Sequence, residues 1–497
     1  MKILIGYPPT ESEKGVALLS QNRQFQWFSN PSYLFPVILG SAATLLKKNG
    51  HEVIWLDAIA EKISFEDFLR KIEEEKPEIF AFETKTPVIK QHWKIINQLK
   101  EKFPEMKIVL MGDHVTSFPE ESLENSNVDF VLRGGDFDFS LSDLCEWISG
   151  KTKKIPAGIY YKKNKKITNS GDFDLKHNLD EAPFIDRELT KWQLYEKEYN
   201  LQGKPFFYIM SGRDCWWGKC KFCAWPTLFP RFRVRSVKNV LDEIGMLIEK
   251  YNVKEIFDDS GTLMTGEWLK GLCNGLIERG YSKRIRYSCN MRFNALKQED
   301  YILMRKAGFR LLKFGLESAN QGTLDRLNKG IKIENIFQGC EMAKKAGLNV
   351  HLTMIVGYPW ETKEDALRTF KLAKELMQKG KADLLQATVL VPYPGTPLWK
   401  EAKENDWFLF DPLNYERYDM REPVLKTKDS EPRDSQVLSD SERAKEVAEI
   451  CGKIYTIFLT PQYILQRIKN VRSWNDFKFN VRGVKAVAGH LKDFFGK

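Results

Sequence analysis

The chain has 497 residues, 42% of them hydrophobic and 29% charged. That length predicts two or three domains, and the balance excludes a disordered chain and disulfide or metal staples as the only source of stability. The formal charge of +10 favours anionic partners (phosphates, acidic lipids or nucleic acid) or simply records solvated lysine faces.

The opening Lys2-Ile3-Leu4-Ile5-Gly6 reads as a buried strand running into Pro8-Pro9 rather than as a secretory leader. The most apolar helical stretch, roughly 33–46, is too short to span a bilayer. A cytoplasmic location is therefore expected. There, eight cysteines are not a disulfide framework, and clustered ones suggest metal.

Strand-like runs then alternate with helical ones. KILIG (2–6), EVIWL (52–56), EIFAF (78–82), KIVLM (107–111) and VDFVL (128–132) are separated by helical patterns near 35–48, 65–75 and 88–102, with another at 139–149. This alternation predicts an α/β fold: a doubly wound, Rossmann-like parallel sheet over residues 1–150, with ligands at the carboxyl ends of its strands. Residues 151–200 are lysine-rich and read as a hairpin around Lys163-Asn164 followed by a linker.

A second alternation fills 201–405. Its strands are FFYIM (206–210), KEIFD (254–258), RIRYSCN (284–290), RLLKFGL (310–316), NVHLTMIVG (349–357) and DLLQATVL (383–390). Helical patterns lie between them near 236–251, 266–279, 298–307, 333–346 and 362–379. Six strands with crossover helices predict a partial (β/α)6 TIM-like barrel with its chemistry at the carboxyl ends of the strands. Residues 406–497 form a mainly helical, basic extension, with a charged segment near 426–443 and a helix from Ser441.

Three of the eight cysteines fall in SGRDCWWGKCKFCAW (211–225), on a glycine-containing loop directly after the first barrel strand. Cys215, Cys220 and Cys223 are close enough in sequence to close on one iron–sulfur cluster, and three ligands leave one iron of a cubane open. The competing readings are three buried thiols, or a zinc site whose fourth ligand comes from elsewhere. Cys145, Cys273, Cys289, Cys340 and Cys451 have no local partners and read as small core residues, Cys289 being the one to check for reactivity.

A cysteine triad after the first barrel strand, with Phe222 before its last member, resembles the radical S-adenosylmethionine (SAM) superfamily. Four residues, Trp216 to Lys219, separate the first two cysteines where the superfamily usually has three. Other strand ends are similar as well: IFDDSGT (256–262) with Asp258 and Asp259, NMRF (290–293) with Asn290 and Arg292, FGLES (314–318) with Glu317, and IVGYPWET (355–362) with Gly357, Tyr358 and Pro359. The resemblance implies a [4Fe–4S] cluster on the three cysteines, SAM as cofactor and these strand ends as its contacts. Read alone, the Asp pair is a turn and Glu317 a helix cap.

GYPP (6–9), KKNGHEVIWLDA (47–58), MGDHVTSFPEESL (111–123) and DFVLRGGDF (129–137) resemble the cobalamin-binding domain that precedes many radical SAM barrels. No D-x-H-x-x-G motif is present, and Arg133-Gly134-Gly135-Asp136-Phe137 replaces a more acidic stretch. His114 is then the candidate to approach the cofactor, its alternative being an ordinary hydrogen-bonding role. SERAKEVAEICGKIYTIFLTPQYILQRI (441–468) resembles the tail of the subfamily that contains the anaerobic magnesium-protoporphyrin IX monomethyl ester cyclase and the hopanoid methylases.

The resemblance implies reductive cleavage of SAM to a 5′-deoxyadenosyl radical and cobalamin-dependent methylation of an unactivated carbon of a small or lipid-like substrate. An electron donor such as flavodoxin or ferredoxin is implied with it. A cyclisation, C–C coupling or oxidation without cobalamin is the second expectation, and a non-catalytic iron–sulfur sensor the third. From Pro461 onward eight Lys or Arg face two Asp, a local charge of +6, interleaved with aromatics such as Trp474 and Phe477. This tail is either an amphipathic helix packed on the barrel or an element touching the inner face of the membrane. No appended RNA-binding module is evident.

Overall fold

The computed structural model describes residues 1–19, 25–196, 201–428, 439–469, 471 and 474–495. The charged segment expected at 426–443 lies outside these over 429–438, as do Arg472 and Lys497 of the basic tail.

The first sheet is built from β1 (Lys2–Tyr7), β2 (Glu52–Asp57), β3 (Ile79–Thr84), β4 (Lys107–Gly112) and β5 (Phe130–Leu132). They run parallel in the order β2-β1-β3-β4-β5. Helices cover both faces, so the strands are largely apolar; every residue of β3 is buried. The hairpin of β6 (Ile159–Lys163) and β7 (Lys166–Asn169) does not stand apart. It continues this sheet antiparallel from β5. Asn164 and Lys165 both take positive φ (51° and 63°), as a two-residue turn of the I′ type requires.

The second sheet carries β8 (Phe206–Ile209), β9 (Glu255–Asp258), β10 (Arg286–Met291), β11 (Phe309–Glu317), β12 (Asn349–Val356) and β13 (Leu384–Val389), all parallel and in chain order. Consecutive order with a helix between each pair curls the sheet into the expected partial barrel. The crossover helices span Val237–Tyr251, Glu267–Glu278, Gln298–Lys306, Ile333–Lys345 and Lys363–Gln378. Their ends are set locally. Ser236 caps the first through the Asn239 amide, and left-handed Asn252 closes it.

The carboxyl edges of the two sheets face each other. Ser117, after β4, donates to the Pro394 carbonyl beyond β13 at 3.0 Å. The Gly135 amide, beyond β5, donates to the Leu228 carbonyl at 2.9 Å. The carboxyl-terminal helix Asp440–Ile454 packs on Lys363–Gln378 and β13, and Trp474–Phe495 follows it.

Candidate active site

A cavity of about 190 Å³ opens at the carboxyl end of the barrel. Cys215, Cys220, Cys223, Phe222, Asn290, Arg292 and Glu317 all line it. Residues up to 102 positions apart in the chain thus meet because β8, β10 and β11 all deliver their carboxyl ends to one mouth.

The cysteine loop is held on three sides. Cys215 forms a parallel bridge with Thr262, and its thiol donates to Thr262 Oγ1 at 3.1 Å. Gly261 permits this approach, since a Cβ there would lie 2.8–3.0 Å from the Asp214 and Cys215 backbone. From below, the Lys221 amide donates to the Leu327 carbonyl and the Trp217 indole to the Asn328 carbonyl at 2.9 Å. On the third side Arg213, two residues before Cys215, reaches the first domain and donates to Asp136 and Asp138 at 2.8 Å each. All three cysteines are partly exposed and free of disulfides. Burial pushes the Cys220 thiol up, and the Lys329 cation opposes that.

Among the described residues no three acidic, cysteine or histidine side chains converge on a single ion. In a cubane each thiolate takes its own iron, so its three cysteine sulfurs need not meet at one point.

Two cations flank the cysteines. Arg292 stacks on Trp217 at 4.0 Å and donates to the Lys329 and Gly330 carbonyls. Lys329 donates to Glu317 Oε1 at 2.6 Å. Glu317 ends β11 in a left-handed conformation (φ 62°), at a bulge where the register with β12 shifts. A non-glycine residue held there stores strain, and such strain concentrates at functional sites. Lys329 and Gly330 were absent from the sequence-derived candidates because their loop carries no spacing signal. Lys313, Thr353, Gln386 and Thr388 were also absent; they follow from the period of two along strands whose alternate residues face the barrel interior.

The remaining candidates lie off the cavity wall. Asp258 is fully buried and accepts from the Ser211 and Ser260 amides, Ser260 Oγ (2.6 Å) and Tyr287 OH (2.7 Å). Its carboxylate braces the floor of the cysteine loop. Asp259 accepts from Asn290 Nδ2 at 3.2 Å. Gly357 takes φ 89° after β12, with half-buried Pro359 two residues on. Tyr358 is fully buried and its hydroxyl has no hydrogen-bond partner. Burial, then the charges of Glu317, Glu361 and Cys220, raise that phenol well above its usual range.

His114 is fully buried in the short helix Asp113–Ser117, packed edge-on against Tyr415 at 4.8 Å and near Phe118 and Trp93. Its Nδ1 lies 3.3 Å from Thr86 Oγ1 and its Nε2 3.3 Å from Glu121. Among the described residues no histidine lines the cavity. The five other cysteines are buried. Burial raises the Cys289 thiol well above its usual range, and the residue packs in the core of the barrel.

Toward the first domain the cavity wall becomes apolar, with Trp225, Pro226, Leu390, Val391, Tyr393 and Met420. Such a wall offers apolar contact to the face of a macrocycle lying between the two facing sheet edges.

Comparison with known proteins agrees with this layout. Residues 209–373 match the model of the radical SAM superfamily, and residues 31–136 match that of the B12 binding domain. An uncharacterized methyltransferase of Pyrococcus horikoshii is 28% identical over 474 residues, covering 94% of this chain and 95% of its own. The anaerobic magnesium-protoporphyrin IX monomethyl ester cyclase of Cereibacter sphaeroides is 25% identical over 77% of this chain and 62% of its own. Among solved structures, the radical S-adenosylmethionine methyltransferase TsrM of Kitasatospora setae, with cobalamin and a [4Fe–4S] cluster bound, superposes with a TM-score of 0.65. Its identity is 16%, and 84% of each chain is covered.

Proposed function

The chain belongs to the radical SAM superfamily and carries an amino-terminal B12-binding domain, and from that premise we propose that it is a cobalamin-dependent methyltransferase acting on an unactivated carbon of a small molecule. The observation that carries this reading is a single cavity. It joins the three cysteines, at the mouth of the barrel, to an apolar wall facing the B12-binding domain.

Cys215, Cys220 and Cys223 hold the [4Fe–4S] cluster. With SAM and cobalamin bound, these groups supply one-electron cleavage chemistry and a methyl carrier. The protein's own part is binding and orientation. Arg292 and Lys329 present positive charge beside the cysteines, where a carboxylate is to be held. Glu317, anchored by Lys329, offers its second oxygen to an amine. Tyr358, buried at the Gly357-Tyr358-Pro359 turn, packs behind the polar wall, and Phe222, Asn290 and Trp217 close the cavity against water. Asp258 and Asp259 position the cysteine loop and Asn290. His114, enclosed by aromatic rings, positions the loop after β4 rather than reaching the macrocycle.

A flavodoxin or ferredoxin supplies the electron. Among the described residues no helix is long and apolar enough to cross a membrane. Peripheral contact with the membrane's inner face belongs to the same reading, supported by the exposed apolar residues of the tail.

Anaerobic UV–visible spectroscopy after reconstitution with iron, sulfide and hydroxocobalamin, then desalting, tests the proposal. A broad iron–sulfur band with retained corrin bands is expected, the former lost in Cys220→Ala and the latter kept. A cluster without retained corrin would turn the reading toward cyclisation or coupling, in line with the similarity to the cyclase. No cluster at all would overturn it.

A further inference from the structure

At the opposite end of the barrel from the cysteines lies a second cleft, of about 1,090 Å³, between the amino-terminal ends of the strands and the helix Trp474–Phe495. Among the described residues that line it, eight of fifteen are Lys or Arg and none is Asp or Glu. Lys254 immediately precedes β9, Arg286 opens β10, and Lys283, Arg284, Lys478 and Arg482 complete the ring of charge. Arg284 is ion-paired with Glu249, but the excess of positive charge in the cleft still costs self-repulsion that an anion would relieve.

The same helix carries the cleft's apolar edge. Phe477 and Val481 line the cleft, and they continue outward into Trp474 (66% exposed) and Val484 (68% exposed). Leu459, Ile464, Leu465 and Ile468 extend the exposed row across the preceding helix. Eight of the twelve large hydrophobic side chains left exposed among the described residues lie in this stretch of 26 positions, 459–484. Single exposed apolar residues are ordinary, but eight of them in one stretch that reaches a strongly cationic cleft are not. A nucleic acid would leave the aliphatic row in water; a bilayer takes both, with headgroup phosphates in the cleft and the row among the acyl chains.

We propose that this face docks the enzyme on an anionic phospholipid bilayer, with the cleft between the barrel floor and Trp474–Phe495 receiving the headgroup phosphates. The inference rests on the peripheral membrane contact proposed above and assigns its surface. It also gives the contact a purpose. Because the cleft and the cysteine cavity lie at opposite ends of the barrel, docking anchors the enzyme and leaves the catalytic mouth facing away from the lipid, so the tail does not feed substrate from the bilayer.

The test is sedimentation of the full-length protein with vesicles of phosphatidylcholine alone or with 30% phosphatidylglycerol (about that fraction suffices for a strongly negative surface). Binding is expected only to the anionic vesicles, falling with salt. The triple variant Lys283→Glu, Arg284→Glu, Lys478→Glu should weaken partitioning by roughly 100-fold, and Trp474→Ser with Leu465→Ser should weaken it while sparing the salt dependence. Circular dichroism of each variant checks the fold. Anionic vesicle binding that survives the triple variant overturns the cleft and leaves membrane contact standing. Absence of vesicle binding, or capture of an RNA oligonucleotide in its place, overturns both. SAM cleavage by the same preparations, unchanged in every variant, separates these results from the proposed chemistry.

Discussion

The guanidinium of Arg213 donates to Asp138 Oδ1 at 2.8 Å, fastening the cysteine loop to the first domain across a dry interface. Asp138 opens the helix Phe137–Ile148, accepts from Ser41 as well, and is fully buried; Asp136 receives both Arg213 and Arg233. The two arginines beside Asp136 hold its carboxyl below the usual range although burial pushes the other way. Asp136 and Asp138, after β5, therefore form an interdomain clamp with Arg213 and Arg233.

Removing Asp138 leaves the buried Arg213 with Asp136 alone, so the cost is a part of the about 3–5 kcal/mol of a fully broken buried pair. Asp138→Ala should lower the urea midpoint accordingly and reduce the iron retained after desalting, although no cysteine has been touched. Conversely, a variant with full iron content and unchanged midpoint would show that the clamp does not support the loop.

Lys329 and Glu317 pair at 2.6 Å on the wall of the cavity that the cysteines line. If they orient the amino-acid end of SAM, Lys329→Met should weaken SAM binding by about 10- to 100-fold, the range for a hydrogen bond to a charged group. Glu317→Gln added to that variant should recover part of the loss, because the buried carboxylate no longer lacks its cation. Anaerobic calorimetry on the cluster-loaded protein reads both numbers. Strictly additive losses would mean that the pair does not act as a unit.

These contrasts show what the sequence made legible. Both sheets could be drawn in advance because strands buried on two faces are largely apolar, with the few polar positions, such as Glu83 and Thr353, among long apolar runs. The cysteine loop was equally plain, since its ligands are local. What escaped notice is nonlocal: Lys329 meets Glu317 only through the loop 321–330, and Arg213 meets Asp138 across 75 positions. Asp258 illustrates the converse. Its place at a strand end suggested cofactor contact, but Tyr287 on the neighbouring strand and Ser260 turn its carboxylate inward. The hairpin's attachment to β5 was illegible for a simpler reason, because a polar two-stranded ribbon carries no signal of which edge it joins.

Burial at the carboxyl edge of the first sheet predicts a pH dependence. Glu83 is raised to about 7 by burial, against the opposing effects of Lys85 and the Tyr7 hydroxyl that donates to it at 2.8 Å. Asp57 is likewise raised to about 6. A carboxyl whose folded value exceeds its unfolded one stabilises the fold while protonated and loses that contribution as pH rises. For Glu83 the contribution is whole below about 4.5 and is lost as pH climbs through about 7, amounting to at most about 3 kcal/mol. The urea midpoint should therefore fall between pH 5 and 7.5, and Glu83→Gln, which keeps an acceptor for Tyr7, should flatten the slope. An unchanged slope in that variant would assign the titration elsewhere.

Gly330 offers the most local test of the site. It takes φ 64°, and a Cβ there would stand 2.3 Å from the Trp217 indole. That indole is the ring on which Arg292 stacks. Gly330→Ala must therefore both strain the backbone, at about 1 kcal/mol, and push Trp217 off Arg292. Tryptophan emission should shift as the ring moves, SAM affinity should fall, and the iron content should hold, since the Thr262 and Arg213 sides of the cysteine loop are intact. Loss of iron together with affinity would instead mean that the 327–330 loop is what keeps the three cysteines in place.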